Sequence, residues 1–143
     1  ISSVLGFVAM PFRGSYIASK FAIEGLVDTL RLELSNTNIK FSLIQPGPIE
    51  SKFRANAYLA FKENVDSSQS NYKEQYNTMI QRLESDKNAQ FTLPPEAVLK
   101  SAIHALKSSS PKIHYRVTFP TKLFAFLGRI LPSSWMDKIL NNS

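Results

Sequence analysis

The chain has 143 residues, of which 43% are hydrophobic and 11% aromatic, and its formal net charge is +6. That length corresponds to about one domain with enough apolar material for a core, which excludes a disordered or fibrous protein. There are no cysteines, which excludes a disulfide framework, a thiol redox pair and a thiolate zinc site and is compatible with a reducing cytoplasm.

The positive charge is scattered, with no run of five or more basic residues. A nucleic-acid partner is therefore not expected, and the charge suits a phosphorylated cofactor or an anionic lipid surface instead. His104 and His114 are too isolated for a metal cluster, so no metal site is predicted. The most apolar stretch, Leu123 to Leu131, is too short to span a bilayer.

The first predicted element is a helix from Gly14 to Leu34. Its apolar residues recur at helical spacing, which predicts one buried stripe. The stripe consists of Ala22, Ile23, Leu26, Val27, Leu30 and Leu34. Residues 40–44 follow as a short strand buried on both faces, which stops at Pro46 because proline cannot continue a ladder.

A helix followed by a short buried strand is typical of the second half of a βαβ unit. Ile1-Ser2-Ser3 is then predicted to be the end of the preceding parallel strand, and the fold class is α/β with a doubly wound, Rossmann-like parallel sheet. Because the chain opens on Ile1 rather than Met, as if within a strand, we interpret it as the C-terminal half of a longer protein.

Residues 51–91 turn polar but keep helical spacing, which predicts two helices around a link at 65–70. The Pro-Pro-Glu run at 94–96 predicts the start of a further helix, and a strand is predicted over 114–119.

Residues 120–140 predict one or two amphipathic helices broken at Pro132. We therefore divide the chain into a body, 1–119, that includes a helical substrate region at 51–91, and a C-terminal helical extension, 120–143.

Ser3, Tyr16 and Lys20 carry the sharpest chemical signal. Tyr16 and Lys20 are four residues apart and share a helix face, and a nearby ammonium lowers the pKa of a phenol, which makes Tyr16 a candidate general acid or base. Ser3, at the carboxyl end of its predicted strand, would hold a substrate oxygen beside the Tyr16 hydroxyl. Taken alone, the spacing favours a simpler interpretation, an aromatic residue and a solvated cation at a helix start.

The wider context adds three motifs in order. They are Ile1-Ser2-Ser3-Val4-Leu5-Gly6, Tyr16-Ile17-Ala18-Ser19-Lys20 and Pro46-Gly47-Pro48-Ile49-Glu50-Ser51. With these motifs the sequence resembles the short-chain dehydrogenase/reductase family, most strongly over residues 1 to 51. Residues 7–12 and the Phe-Ala-Ile-Glu-Gly run after Lys20 resemble the branch of 17β-hydroxysteroid and retinol dehydrogenases and their bacterial relatives.

The resemblance implies an NAD(P)-dependent oxidoreductase (EC 1.1.1.-) that moves hydride between nicotinamide and a hydrophobic alcohol, aldehyde or ketone. It implies that Ser3 orients the substrate oxygen, that Tyr16 transfers the proton, and that Lys20 lowers the Tyr16 pKa and contacts the nicotinamide ribose. The cofactor is NADP or NAD, with the positive charge favouring NADP.

By the same resemblance, the turn from Pro46 to Ser51 passes beneath the nicotinamide, with the Ile49 backbone near the carboxamide. Gly47 permits close backbone approach and the prolines stiffen the turn. Ser51, near the carboxamide or phosphates, departs from the threonine more usual in the family. Apolar side chains would line the substrate pocket beside Ser3, and the candidates are Val8, Met10 and Phe53. The alternative interpretation is that these three residues pack in the core.

The glycine-rich dinucleotide turn of the family is absent from this sequence, so we expect the 143 residues alone to be inactive. The alternatives left open are a catalytically inactive dinucleotide-binding protein and a membrane-surface protein that uses the basic, aromatic segment 120–143. Homo-oligomer formation and a cytoplasmic or membrane-peripheral location are also left open.

Overall fold

The computed structural model describes residues 1–85 and 89–141; residues 86–88, 142 and 143, which fall in the predicted substrate region and extension, lie outside the described residues. Two compact units are present: a first unit of residues 1–49 and 90–141, and a second unit of residues 50–85 and 89. The elements follow in chain order as a 3-10 helix Val4–Gly6, α1 Gly14–Glu33, β1 Leu43–Gln45, α2 Phe53–Asn64, α3 Lys73–Glu84, α4 Glu96–Lys107, β2 His114–Arg116, α5 Phe119–Ile130 and α6 Ser133–Asn141.

A small parallel sheet forms the centre of the first unit, which confirms the α/β prediction. β1 pairs with β2 in the register Leu43 to His114, Ile44 to Tyr115 and Gln45 to Arg116, and all three residues of β1 are buried. The predicted strand at 40–44 is present but begins later, because at position 42 the serine hydroxyl, rather than the backbone, bonds the facing chain.

β2 ends at Arg116 rather than at the predicted residue 119. Thr118 already precedes the first turn of α5, where Pro120 is tolerated because the first helical N–H groups have no partner within the helix. The predicted strand is therefore cut short by the start of the next helix.

The first three residues do not form the predicted strand. The backbone N–H groups of Ser2 and Val4 donate to the carbonyl oxygens of Ile44 and Pro46, both at 2.8 Å, with the two-residue spacing of a parallel ladder. The return bonds would need N–H donors at Pro46 and Pro48, which have none. The segment therefore runs beside β1 without completing a ladder.

The helix predicted at 14–34 is confirmed by α1, but its predicted buried stripe is wrong. No residue of α1 is buried, and Leu26 is 60% exposed. A helix of 20 residues is about 30 Å long, whereas a two-stranded sheet is about 10 Å wide. The sheet in the described chain is too narrow to cover the stripe.

The remaining helices match the predicted positions. α2 and α3 flank a link that includes 65–70, and α5 and α6 are separated at Pro132.

In the second unit the Phe61 and Tyr76 rings lie 5.6 Å apart, which joins α2 to α3. There the hydrogen bond with Tyr58, and then the charge of Tyr58, raise the pKa of Lys62.

Candidate active site

Tyr16 and Lys20 lie on one face of the first turns of α1. The Lys20 Nζ atom is 5.6 Å from the centroid of the Tyr16 ring, within the range in which an ammonium is attracted to an aromatic face. The four-residue spacing predicted this juxtaposition, and the structure places the cation directly beside the phenol.

Lys20 also ties α1 to the segment that carries Ser3. Its Nζ atom donates to the carbonyl oxygen of Ile1 at 3.4 Å, and α1 packs against the 3-10 helix Val4–Gly6. The Ser3 hydroxyl accepts a hydrogen bond from the backbone N–H of Leu5 at 3.1 Å and so caps this short helix. The cap fixes the Ser3 side chain and leaves its hydroxyl proton available to another acceptor.

The turn at positions 46–49 is bonded on two sides within the first unit. The Pro46 carbonyl accepts from Val4, and the Pro48 carbonyl accepts from the N–H of Leu93 at 3.1 Å. Ile49 pairs with Leu93 as an isolated parallel bridge. The turn is thus anchored both to the segment after Ser3 and to the approach to α4.

Gly47 is the point of closest approach in this turn. A Cβ atom at Gly47 would lie 2.6 Å from the Thr121 hydroxyl oxygen and closer still to that of Thr118. Both threonines are buried, and their hydroxyl groups bond each other at 2.9 Å. Within the chain, the close neighbours of Gly47 are therefore these two threonines at the start of α5, and its approach to the nicotinamide stays a prediction.

Sequence reasoning missed Thr118, Thr121 and Glu24. Thr121 directly follows Pro120 and Thr118 precedes it by two residues, and this stretch was interpreted only as the start of a helix. Glu24 continues the four-residue spacing of Tyr16 and Lys20 along α1, and this spacing was the signal available. It accepts a hydrogen bond from Gln45, the last residue of β1.

The segment between Ser3 and Tyr16 holds two of the predicted substrate contacts. Val8 is only 3% exposed and packs in the core of the first unit, while Met10 is half-buried with its sulfur 3.6 Å from a guanidinium nitrogen of Arg13. A cavity of about 250 Å³ opens beside Met10 and α6.

The same segment contains one strained backbone position. Phe12 has φ 59°, a strained conformation for a bulky residue.

Ser51 and Phe53 belong to the second unit. The Ser51 hydroxyl accepts from the backbone N–H of Phe53 at 3.3 Å and so sits at the start of α2. Phe53 is exposed. Their predicted roles toward the cofactor and substrate stay predictions.

Both histidines have neighbours in the first unit. His104 Nδ1 and the Tyr115 hydroxyl are 2.8 Å apart, and His114 Nε2 lies 3.9 Å from a Glu24 carboxylate oxygen. Within residues 1–85 and 89–141, no group of three or more histidine and acidic side chains is arranged to hold a metal ion. None of the described helices combines the length and apolarity required to cross a bilayer.

The relatives found by comparison with known proteins include three that align with almost the whole chain. The chain is 44% identical over 139 residues to the uncharacterized oxidoreductase YbbO of Escherichia coli, covering 97% of this chain and 46% of the relative. It is 30% identical to the NADPH-dependent 3-dehydrocapnine reductase of Ornithobacterium rhinotracheale, covering 97% of this chain and 47% of the relative. It is 28% identical to the 17-beta-hydroxysteroid dehydrogenase type 6 of Homo sapiens, covering 100% of this chain and 47% of the relative.

The sequence profile of the family described as short chain dehydrogenase matches residues 1–60, the span that contains Ser3, Tyr16, Lys20 and the 46–49 turn. The chain belongs to the short-chain dehydrogenase/reductase family. The hydroxysteroid dehydrogenase among the relatives agrees with the branch that the motifs indicated. As a member of this family the chain spans about half the length of the curated relatives it matches.

Proposed function

We propose that the complete protein is an NAD(P)-dependent oxidoreductase that transfers hydride between nicotinamide and a hydrophobic alcohol, aldehyde or ketone. The observation that carries this proposal is the Lys20 ammonium, 5.6 Å from the Tyr16 ring and bonded to the segment that leads into Ser3. A phenol, an ammonium and a serine hydroxyl near the carboxyl end of a parallel strand form a donor set suited to a carbonyl oxygen and a ribose.

The chemistry of this donor set fits a nicotinamide nucleotide, which, when bound, donates or accepts the hydride. Ser3 holds the substrate oxygen through its hydroxyl proton. Tyr16 donates its hydroxyl proton to that oxygen in reduction and takes it back in oxidation. Lys20 places a positive charge beside Tyr16 and offers N–H donors to the ribose hydroxyl groups. The turn from Pro46 through Gly47 would pass beneath the nicotinamide, with the Ile49 backbone near the carboxamide. Ser51, in the second unit, keeps its predicted role near the carboxamide or phosphates.

NADP is the proposed cofactor, with NAD as the second choice. The net charge of +6 favours the nucleotide with the additional phosphate. One relative at 30% identity is named as NADPH-dependent. These two observations point the same way and are independent of each other.

The proposed substrate is apolar. In the first unit, Met10 follows Ser3 by only a few residues, and the cavity beside it is lined by the apolar Ala9, Pro11 and Leu140 together with the polar Asp137 and Asn141. Phe53 is exposed in the second unit, and its contact with the substrate stays a prediction. A relative named for a hydroxysteroid supports the same substrate class.

The full-length protein, mixed with NADPH and a panel of apolar ketones and aldehydes, is expected to consume the reduced cofactor, and to do so faster than with NADH. The measurement is the loss of reduced-nicotinamide absorbance. The 143-residue chain alone is the control and is expected to be inactive, because its sequence has no glycine-rich dinucleotide turn. Absence of turnover with every carbonyl, together with undetectable cofactor binding, would contradict the proposal.

We further propose that α5 and α6 rest on an anionic membrane surface. α5 turns Thr121 and Ala125 inward and exposes a stripe at helical spacing made of Phe119, Leu123, Phe126 and Ile130. Lys122 and Arg129 accompany this stripe, and α6 adds exposed Trp135 and Ile139 beside Lys138. An exposed apolar stripe with basic and aromatic neighbours suits the interface of an anionic bilayer.

Vesicle binding tests this surface. The full-length protein is expected to sediment with phosphatidylglycerol-containing vesicles, and the Phe126→Ser, Ile130→Ser double variant to partition about tenfold less. Point substitutions are preferable to truncation, because Thr118 and Thr121 support the 46–49 turn. The matched control is Leu99→Ser, Leu106→Ser on α4, which removes two apolar residues that are at least comparably exposed but lie outside the stripe. Equal sedimentation of both double variants, or self-association that only the α5 variant abolishes, would contradict a lipid partner.

A further inference from the structure

Glu24 is a largely enclosed carboxyl group on the inner side of α1. It lies four residues after Lys20 and eight after Tyr16, so the three side chains share one helix face. The Glu24 side chain is only 13% exposed, and enclosure of a carboxylate is costly unless it is bonded to partners.

The Glu24 carboxylate contacts the two segments that flank the proposed site. Its Oε2 atom accepts a hydrogen bond from the Gln45 side-chain amide at 2.9 Å, and Gln45 directly precedes the Pro46 turn. On the other side, a Cβ atom at Gly6 would lie 2.9 Å from Glu24 Oε1, so this carboxylate packs against the 3-10 helix capped by Ser3. His114 on β2 lies 3.9 Å away.

From these contacts we infer that Glu24 is a positioning residue for the proposed reaction. One carboxylate joins the helix that bears Tyr16 and Lys20, the segment that bears Ser3, and the strand that leads into the cofactor turn. This inference rests on the proposed function, and it adds a residue that touches neither substrate nor cofactor in that proposal. Glu24 acts by holding three segments in register, because small displacements of reacting groups are expensive in rate.

Gln45 is the partner that transmits this effect to the turn. It is 2% exposed, so bulk water cannot replace Glu24 as the hydrogen-bond partner of its amide. A hydrogen bond between an amide and a carboxylate is among the stronger kinds in proteins.

The test compares kinetic parameters of Glu24 variants in the full-length enzyme. Glu24→Ala is expected to lower kcat by about tenfold to a hundredfold and to raise KM for the cofactor. Glu24→Gln keeps an acceptor oxygen for Gln45, so it is expected to retain kcat within about threefold. Asp28→Ala is the matched control: Asp28 is the next acidic residue of α1, pairs with Arg31, and its loss is expected to leave both parameters unchanged.

A double-mutant cycle with Gln45→Ala separates positioning from general destabilisation. If Glu24 acts through Gln45, the double variant is no slower than Glu24→Ala alone. If the role of Glu24 is purely structural, its variants have a lower melting temperature but unchanged kcat and KM, and the effects of the two substitutions are additive. That result would overturn the inference. Should Glu24→Ala fail to fold, Glu24→Gln and Gln45→Ala still give the comparison, and a Gln45→Ala enzyme with unchanged kinetics would overturn it.

The same assay with Tyr16→Phe distinguishes the two ways of failing. If Tyr16→Phe turns over normally, the proposed function is wrong, whatever Glu24 does. If Tyr16→Phe is inactive while Glu24→Ala matches the unsubstituted enzyme, only the positioning role of Glu24 is wrong.

Discussion

Tyr16→Phe is expected to reduce kcat of the complete enzyme by about a hundredfold to ten-thousandfold, the range for loss of a general acid or base. The substitution removes one hydroxyl group and keeps the ring that faces Lys20 at 5.6 Å. The fold and the affinity for the cofactor are therefore expected to persist. Steady-state turnover and calorimetric titration with the reduced cofactor measure the two effects separately.

Tyr115→Phe provides the matched control for this substitution. The Tyr115 hydroxyl lies 2.8 Å from His104 Nδ1 and accepts from the backbone N–H of Lys112 at 3.0 Å, outside the proposed reaction. Its loss is expected to reduce the free energy of unfolding by about 1 kcal/mol while leaving kcat unchanged. Equal kcat for the two variants would remove Tyr16 from the chemistry.

Gly47→Ala is expected to destabilise the protein by about 3 kcal/mol and to impair cofactor binding, because the new methyl group would overlap buried atoms. The position of that methyl group is 2.6 Å from the Thr121 hydroxyl oxygen and nearer to that of Thr118. Neither threonine can swing away into solvent, since both are buried. Urea unfolding and the KM for the cofactor are the measurements.

Two other glycines test whether the effect of Gly47→Ala is steric. A Cβ atom at Gly25 or Gly128 would meet nothing within 4 Å, and both residues lie within helices. Alanine at either position is expected to stabilise the protein by about 0.5–1 kcal/mol. Adding Thr118→Ala to Gly47→Ala should recover part of the lost stability; no recovery would mean that the threonine contact is not the cause.

The helices were predictable from the sequence because their signals are local. Apolar spacing located α1, and the prolines at 95, 120 and 132 marked helix boundaries that the structure places within a few residues. Burial was less predictable. The stripe that includes Leu26 has the right period for a core-facing helix, but burial depends on which other elements cover it, and a period contains no information about those elements.

The residues of the candidate site also differ in how predictable they are, depending on whether their contacts are local in the sequence. Tyr16 and Lys20 were found together because both lie within one helical turn of each other. Glu24, Thr118 and Thr121 act through partners far away in sequence, such as Gln45 for Glu24 and Gly47 for the threonines. Their residue types are ordinary at those positions, and only the folded chain shows what they contact.

The two prolines beside the N-terminal segment have a consequence for how the sheet ends. With no amide hydrogen at Pro46 or Pro48, the segment bearing Ser3 donates hydrogen bonds to this strand but receives none from these two residues. The missing return bonds end the ladder between this segment and β1 at the place where Ser3 and the turn come together. Beyond Pro48 the chain pairs with a different segment, through Ile49 and Leu93.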